Sequence, residues 1–218
     1  MRNIPMALLT SLLASACAGA PGEQPPAETT APVASEKRVT AAADGPGFIE
    51  HVGYTGTGCE GNSATSAVSP DNLAVTSTFS SFTAAVSAGS DPDEAARNCL
   101  IMMDIKVPAG WQYSLESVDY RGFADLDSGA TASRSSLYMI SGSPVHVTPP
   151  VRYQGPISDN VQHADVGPEA PGVWSPCGGG QALWIAAQTQ VSNGGRESRE
   201  GQLTIDSIDT ELQWRRCK

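Results

Sequence analysis

From about residue 63 onward, apolar and polar residues alternate in short runs, and Gly, Pro, Asn or Asp closes each run. Helical spacing is scarce. A period of two puts successive side chains on opposite faces, the pattern of strands with one buried side. Residues 63–69 and 73–79 flank Pro70-Asp71-Asn72, whose chemistry is that of a turn. Residues 82–86 predict a further short strand, and 91–98 predict one helical turn with Asp91 as its cap. The compact apolar run 99–107, stopped by Pro108 and Gly110, predicts a buried strand. Trp111, Tyr113 and Leu115 then share one face, while Val118 and Tyr120 fall on the other parity; such a phase change predicts a bulge. Strands follow over 131–140 and 147–153, the latter edge-like because of Pro149-Pro150. The last two, 182–191 and 202–214, read as a hairpin joined by the loop 192–201. The predicted architecture is all-β: an antiparallel sandwich of about eight to ten strands over residues 46–218.

The first 45 residues follow another pattern. Arg2 is the only charge before Glu23, an apolar run covers residues 4–13, and small residues follow at Ala14, Ser15 and Ala16. This is the layout of a signal peptide over 1–16, and the run is too short to cross a bilayer as a helix. Cys17 leaves two readings open. The site fits an ordinary small-x-small cleavage, and it also resembles the bacterial lipobox, in which Cys17 is lipidated and becomes the new amino terminus. Leu13 stands one place further from the cysteine than is usual there. Residues 18–44 are rich in Ala, Pro, Glu and Thr, too poor in apolar side chains to fold. As a tether they would reach about 30 Å. The expected location is outside the cytoplasm, either anchored to the cell envelope through lipid on Cys17 or soluble after secretion.

Removing residues 1–16 takes away one base and no acid, so 12 basic and 23 acidic residues remain, a formal charge of −11. Such a surface repels nucleic-acid phosphates and anionic lipid, which excludes nucleic acid as an expected partner. Apart from Cys17 there are four cysteines, Cys59, Cys99, Cys177 and Cys217. An even number in an exported domain reads as two disulfides. None stands in a CxxC pair and no histidine lies at ligand spacing, so neither a metal nor a cofactor is expected. Of three connectivities, the final hairpin favours one. Partners across its loop sum to about 393 and Cys177 with Cys217 sums to 394, so the two meet where its ends meet. Cys59 with Cys99 follows by elimination.

Five motifs recur in order: GTGC (56–59), RNC (97–99), YRGFADLDSG (120–129), WSPCG (174–178) and LQWRRC (212–217). Together they resemble a family of small secreted proteins of fungi and bacteria catalogued as domain of unknown function 4360. The resemblance runs from Gly53 to Cys217, with LQWRRC and YRGFADLD its most specific pieces. It implies an exported β domain with four cysteines, and it implies no activity.

Candidate chemistry is sparse. Asp125, Asp127 and Gly129 could form half of a calcium loop, or a strand-end turn with solvated acids. The same carboxylates, alone or with Glu116 or Asp119, could serve as the acid and base of a glycosidase, given 5–10 Å separations and a raised pKa. Trp111, Tyr113, Tyr120, Trp174, Trp184 and Trp214 could stack on sugars or fill the core. Tyr120 beside Arg121, and Trp214 beside Arg215 and Arg216, form a candidate binding set. Those guanidiniums could pair with Asp125 or Asp127, or capture an anionic partner. His51, His146 and His163 are far apart in sequence and carry no hydrolase motif. Gly178, Gly179 and Gly180 ease the chain into the next strand and do not form a phosphate loop. The leading expectation is a non-catalytic module that binds a glycan or a surface protein. A carbohydrate-active hydrolase and a structural envelope protein are the alternatives.

Overall fold

The alternation becomes twelve strands within residues 47–165 and 173–218, the residues that the computed structural model describes. In chain order they are β1 (Phe48–Thr55), β2 (Ala64–Val68), β3 (Ala74–Phe79), β4 (Thr83–Val86), β5 (Ala96–Val107) and β6 (Trp111–Leu126). There follow β7 (Thr131–Ile140), β8 (His146–Val147), β9 (Val151–Gln154), β10 (Ile157–Ala164), β11 (Gly179–Ser192) and β12 (Gly201–Arg216). The expected signal segment, Cys17 and the tether lie outside the described residues. Among the described residues no helix is long and apolar enough to cross a membrane.

Two antiparallel sheets face each other. Sheet A runs β1-β5-β11-β7-β8, with β9 also on β7; sheet B runs β10-β6-β12-β3-β2, with β4 also on β12. The predicted helical turn is a single 3-10 turn, Pro92–Ala95, whose Asp91 carboxylate accepts from Asp93 N at 2.9 Å. The run 147–153 is interrupted into β8 and β9, because Pro149 and Pro150 have no N–H to give the ladder. Strands β1 and β10 were not expected from the pattern: among their residues only Ile49 is buried, so the alternation is weak.

The predicted bulge is present. Glu211 pairs with Ser117 and Leu212 with Leu115, so Glu116 is the extra residue of β6 and shifts the inward set from Tyr113 and Leu115 to Val118, Tyr120, Ala124 and Leu126. A second bulge lies in β12, where Asp206 is skipped between Ile205 and Ser207. Gly122 sits against it. A Cβ there would stand 1.9 Å from the Thr204 carbonyl, so only glycine allows the two backbones to approach this closely.

The final hairpin is a correction. Strand β11 pairs with β5 and β7 in sheet A, whereas β12 pairs with β6, β3 and β4 in sheet B. The loop between them crosses from one sheet to the other. Even so, Cys177 is bonded to Cys217 and Cys59 to Cys99, as predicted. The counting succeeds because two strands of similar length joined by a crossover run antiparallel face to face, and their far ends meet as those of a hairpin do. Cys177–Cys217 therefore ties the two sheets together at one end. At the other end the turn after β6 holds the crossover loop: Asp127 N donates to Glu200 O (3.0 Å), Glu200 N to the Asp127 carboxylate (2.8 Å), and Arg199 to Gly129 O (3.3 Å).

Between the sheets Ile101, Met103, Ile105, Leu183 and Ile185 of sheet A meet Val118, Ile205, Ile208, Leu212 and Val75 of sheet B, all buried. A second, thinner core of Ala84, Ala124, Ala130, Ala132, Val191 and Leu203 lies toward the crossover end.

Candidate functional site

Three regions carry more chemistry than a sandwich requires. The first is inside. Arg134 points inward from β7, its side chain 1% exposed, and its guanidinium donates twice to the equally buried Asp165 that follows β10. It also donates to Ser136 and lies 3.8 Å from the centre of the Tyr120 ring. Tyr138 OH donates to Asp165 (2.6 Å) and shares a 2.9 Å hydrogen bond with Tyr120 OH. Burial would raise the Asp165 pKa, but the hydrogen bonds from Arg134 and Tyr138 outweigh it and hold the carboxyl below its usual value. Burial pushes Tyr120 up to about 12, and Tyr138 is raised by burial and by its anionic neighbour. The network is thus a fixed ion pair with neutral phenols, spanning both sheets. Among the described residues His163, Nε2 3.6 Å from Asp165 and nearly half exposed, and His146, stacked on Tyr138, border it on the side of the surface.

The second region is the outer face of sheet A. The register places Gly53, Met102, Trp184 and Met139 side by side across four strands, with Leu100, Ala186, Leu137 and Val147 in the next row of this face. Val147 is 65% exposed and the others are half-buried. Further along β11 the rows turn polar: Asn98, Gln188 and Ser135, then Gln190, Ser133 and Arg152. Two shallow depressions follow this track. One of about 460 Å³ is lined by Leu100, Leu137, Val147, Asn98, Ser135 and Gln188. The other, about 430 Å³, is lined by Ser133, Arg152, Tyr153, Gln154, Gln190 and Ser192. The run 99–107, expected as a buried strand, is buried on its inward parity; Leu100 and Met102 face out and no described element covers them.

The third region is the end of β12, where Arg215 lies 3.6 Å from the Trp174 ring centre and Arg216 lies 4.3 Å from that of Trp111.

The residues singled out by sequence do not assemble into one site. Tyr120 is 2% exposed and belongs to the buried network, because the bulge at Glu116 turns it inward. Trp214 packs on Tyr113 at 5.5 Å against the core. Arg121 is exposed and pairs with Asp209 (3.3 Å) rather than with Asp125 or Asp127. Asp125 and Asp127 do share a hollow of about 350 Å³ with Glu200 and Gln202, but the Asp127 carboxylate is engaged by the Glu200 amide. Among the described residues no three His, Cys, Asp or Glu side chains are gathered as a metal set. Arg134 and Asp165 were missed. Arginine at the inward parity of 131–140 was the available signal for the first; nothing in the sequence points to the second.

Comparison with known proteins reaches the level of family. A curated relative, an uncharacterized secreted protein of Arthroderma benhamiae (strain ATCC MYA-4681 / CBS 112371), is 33% identical over 175 residues, 78% of this chain and 71% of that protein. Among solved structures, TmCBM61 in complex with β-1,4-galactotriose is 12% identical with a TM-score of 0.26, covering 79% of this chain and 95% of that one. The CBM22-1–GH10 modules of Clostridium thermocellum endo-1,4-β-D-xylanase 10B, complexed with xylohexaose, give 12% and 0.27, covering 76% and 28%. At those TM-scores the likeness bears on neither fold nor ligand. The family described as "Domain of unknown function (DUF4360)" matches residues 48–217, and the chain, with its two disulfides and closing LQWRRC, belongs to it.

Proposed function

We propose that this domain is a non-catalytic binding module of an exported protein, holding a neutral glycan chain along the outer face of sheet A. The observation that carries the reading is the change of chemistry along that face. A ring and thioether row (Met102, Trp184, Met139) passes through an aliphatic row (Leu100, Ala186, Leu137) into rows of amides and hydroxyls (Asn98, Gln188, Ser135, Gln190, Ser133) with Arg152 at their edge. From Trp184 to Gln190 is about 20 Å at the rise of a strand. A sugar chain has both needs at once: apolar C–H faces to lay on an aromatic ring, and hydroxyls to bond to neutral polar side chains. A protein partner would instead favour an apolar centre ringed by a polar rim.

Affinity electrophoresis through gels containing neutral polysaccharides tests the proposal. A retarding polysaccharide is expected, with Trp184→Ala abolishing the retardation. A ring that covers on the order of 100 Å² of ligand is worth about 2.5 kcal/mol, roughly 70-fold in affinity. Unchanged retardation by Trp184→Ala, or no retardation in any neutral polysaccharide, counts against it.

The carrier is proposed to be lipid-anchored through Cys17. What supports this is that Cys59, Cys99, Cys177 and Cys217 are consumed in disulfides, leaving Cys17 as the one other cysteine of the chain. Intact mass of protein from membrane and soluble fractions tests it: added mass on Cys17 in the membrane fraction supports the anchor, and a soluble species lacking Cys17 refutes it.

A further inference from the structure

Five of the ten Lys and Arg side chains among the described residues already have a carboxylate or a main-chain carbonyl as partner. Lys106 pairs with Glu50, Arg121 with Asp209 and Arg134 with Asp165, while Arg97 and Arg199 bond main-chain carbonyls. Of the other five described cations, Arg152, Arg196, Arg215, Arg216 and Lys218, two are set apart by stacking, Arg215 and Arg216. Among the described residues no carboxylate lies within 4.0 Å of either; each lies instead over an indole, of Trp174 and of Trp111. Their surroundings are tightly built. Ser175 N donates to Tyr113 O (2.8 Å), Gly178 N to Trp111 O (2.9 Å) and Cys217 N to Gly110 O (2.9 Å), and Cys177–Cys217 closes the end. Gln112, its amide nitrogen toward Ser175 O (3.2 Å), accepts from Arg215 Nη2 at 2.9 Å.

Stacking of this kind fixes a long side chain and occupies one face of the guanidinium; Gln112 also takes the Nε–Nη2 side of Arg215, which leaves the edge formed by Nη1 and Nη2, and Arg216 is exposed. That edge is the fork that fits a carboxylate with two parallel hydrogen bonds. Arg215 pairs across the sheet with Gln112 and faces outward, whereas Arg216 pairs with Trp111, which packs on the core. Adjacent residues of a strand point to opposite sides, so the two forks mark two positions about the end of β12 rather than one pocket. A single phosphate cannot occupy both, but charges repeated along a chain can. The net charge of −10 narrows the partner further. A bilayer of anionic lipid or a nucleic acid brings a dense negative surface that the rest of the domain repels, while a sparsely charged chain meets only the local cations.

We propose that Arg215 and Arg216, held on Trp174 and Trp111, form a second binding site, for an acidic polysaccharide carrying carboxylates. The site is separate from Trp184 and does not depend on the neutral-glycan reading.

The test is calorimetric titration of the oxidised protein with a linear uronate oligosaccharide, its carboxyl-reduced counterpart, and vesicles containing anionic lipid. The uronate is expected to bind at low salt and the reduced form not to bind. Each of Arg215→Gln and Arg216→Gln should weaken uronate binding by about tenfold or more. Arg215→Lys, which keeps the charge and loses the fork, should not restore it, and Trp184→Ala should leave it unchanged. Melting curves show whether each variant is folded, and the two single variants are read independently of each other. Absence of uronate binding, equal binding of the reduced form, or wild-type affinity in the folded glutamine variants overturns the proposal. So does vesicle binding that these variants abolish, which would assign the site to lipid headgroups.

Discussion

Replacing Asp165 with Asn keeps the shape of the side chain and removes its charge, leaving Arg134 buried without a counter-ion. Both side chains of the pair are 1% exposed, so neither solvent nor salt can take over the lost attraction. Breaking a buried ion pair from one side costs about 3–5 kcal/mol, because the remaining charge keeps its full desolvation penalty. For a domain of this size that lowers Tm by about 6–20 °C. Urea unfolding of the oxidised protein at pH 7, followed by tryptophan fluorescence, measures the loss directly. The double variant Arg134→Met/Asp165→Leu removes both charges and should recover more than half of it. The pair also has a pH signature. Asp165 has a folded pKa below its unfolded value of about 3.9, so its contribution is present above that pH and fades as pH falls through the folded value. The wild type should lose part of its margin over Asp165→Asn in acid. A loss below about 1 kcal/mol in Asp165→Asn, typical of an exposed pair, refutes this reasoning. A double variant no more stable than the single one refutes it equally.

Two further stability predictions rest on backbone geometry. Gly122→Ala puts a Cβ 1.9 Å from the Thr204 carbonyl at the β12 bulge, where main chain faces main chain. It should cost about 3 kcal/mol or more in the same urea assay; a neutral effect would mean that the two strands part easily. Removing the inter-sheet disulfide with Cys177→Ala/Cys217→Ala frees a loop of 40 residues and should cost about 4 kcal/mol by chain entropy. A loss under 1 kcal/mol in the urea midpoint would show that the sheets need no such tie.

The strands with strict alternation were legible in the chain. Residues 131–140 form β7 with the predicted bounds, since every second residue there is buried. The bulge was legible too, as a break of phase between Leu115 and Val118. Sheet membership was not. A crossover between sheets and a hairpin within one sheet demand the same loop and the same strand lengths, so residues 192–201 look alike in both; only the ladders of β11 and β12 distinguish them. The disulfide survives the error because it depends on which ends meet and not on which groups hydrogen-bond. Long-range side-chain partners were equally hidden. Nothing local associates Arg121 with Asp209, or Arg134 with Asp165, whereas Asp125 and Asp127 stand close in sequence to Arg121 and are the partners that local spacing suggests.

The departures from alternation locate the chemistry, and they fall into two kinds. Arg134 is a charge at an inward position of β7, and the fold answers it from within: Asp165 and Ser136 accept from its two Nη groups and the Tyr120 ring lies against it. Such a residue specifies how the sheets pack and needs no external partner. Leu100, Met102, Trp184, Leu137 and Met139 depart in the opposite sense, as apolar side chains at outward positions of three adjacent strands. No described element answers them, so they keep apolar surface in contact with water at a cost of about 25 cal/mol for each Å² that a partner could cover. Sequence selected only for folding would place polar residues there, as it does at Gln188 and Gln190 two and three positions further along the same face of β11. The inward departure therefore belongs to stability, and the outward one is the surface on which the proposed recognition rests.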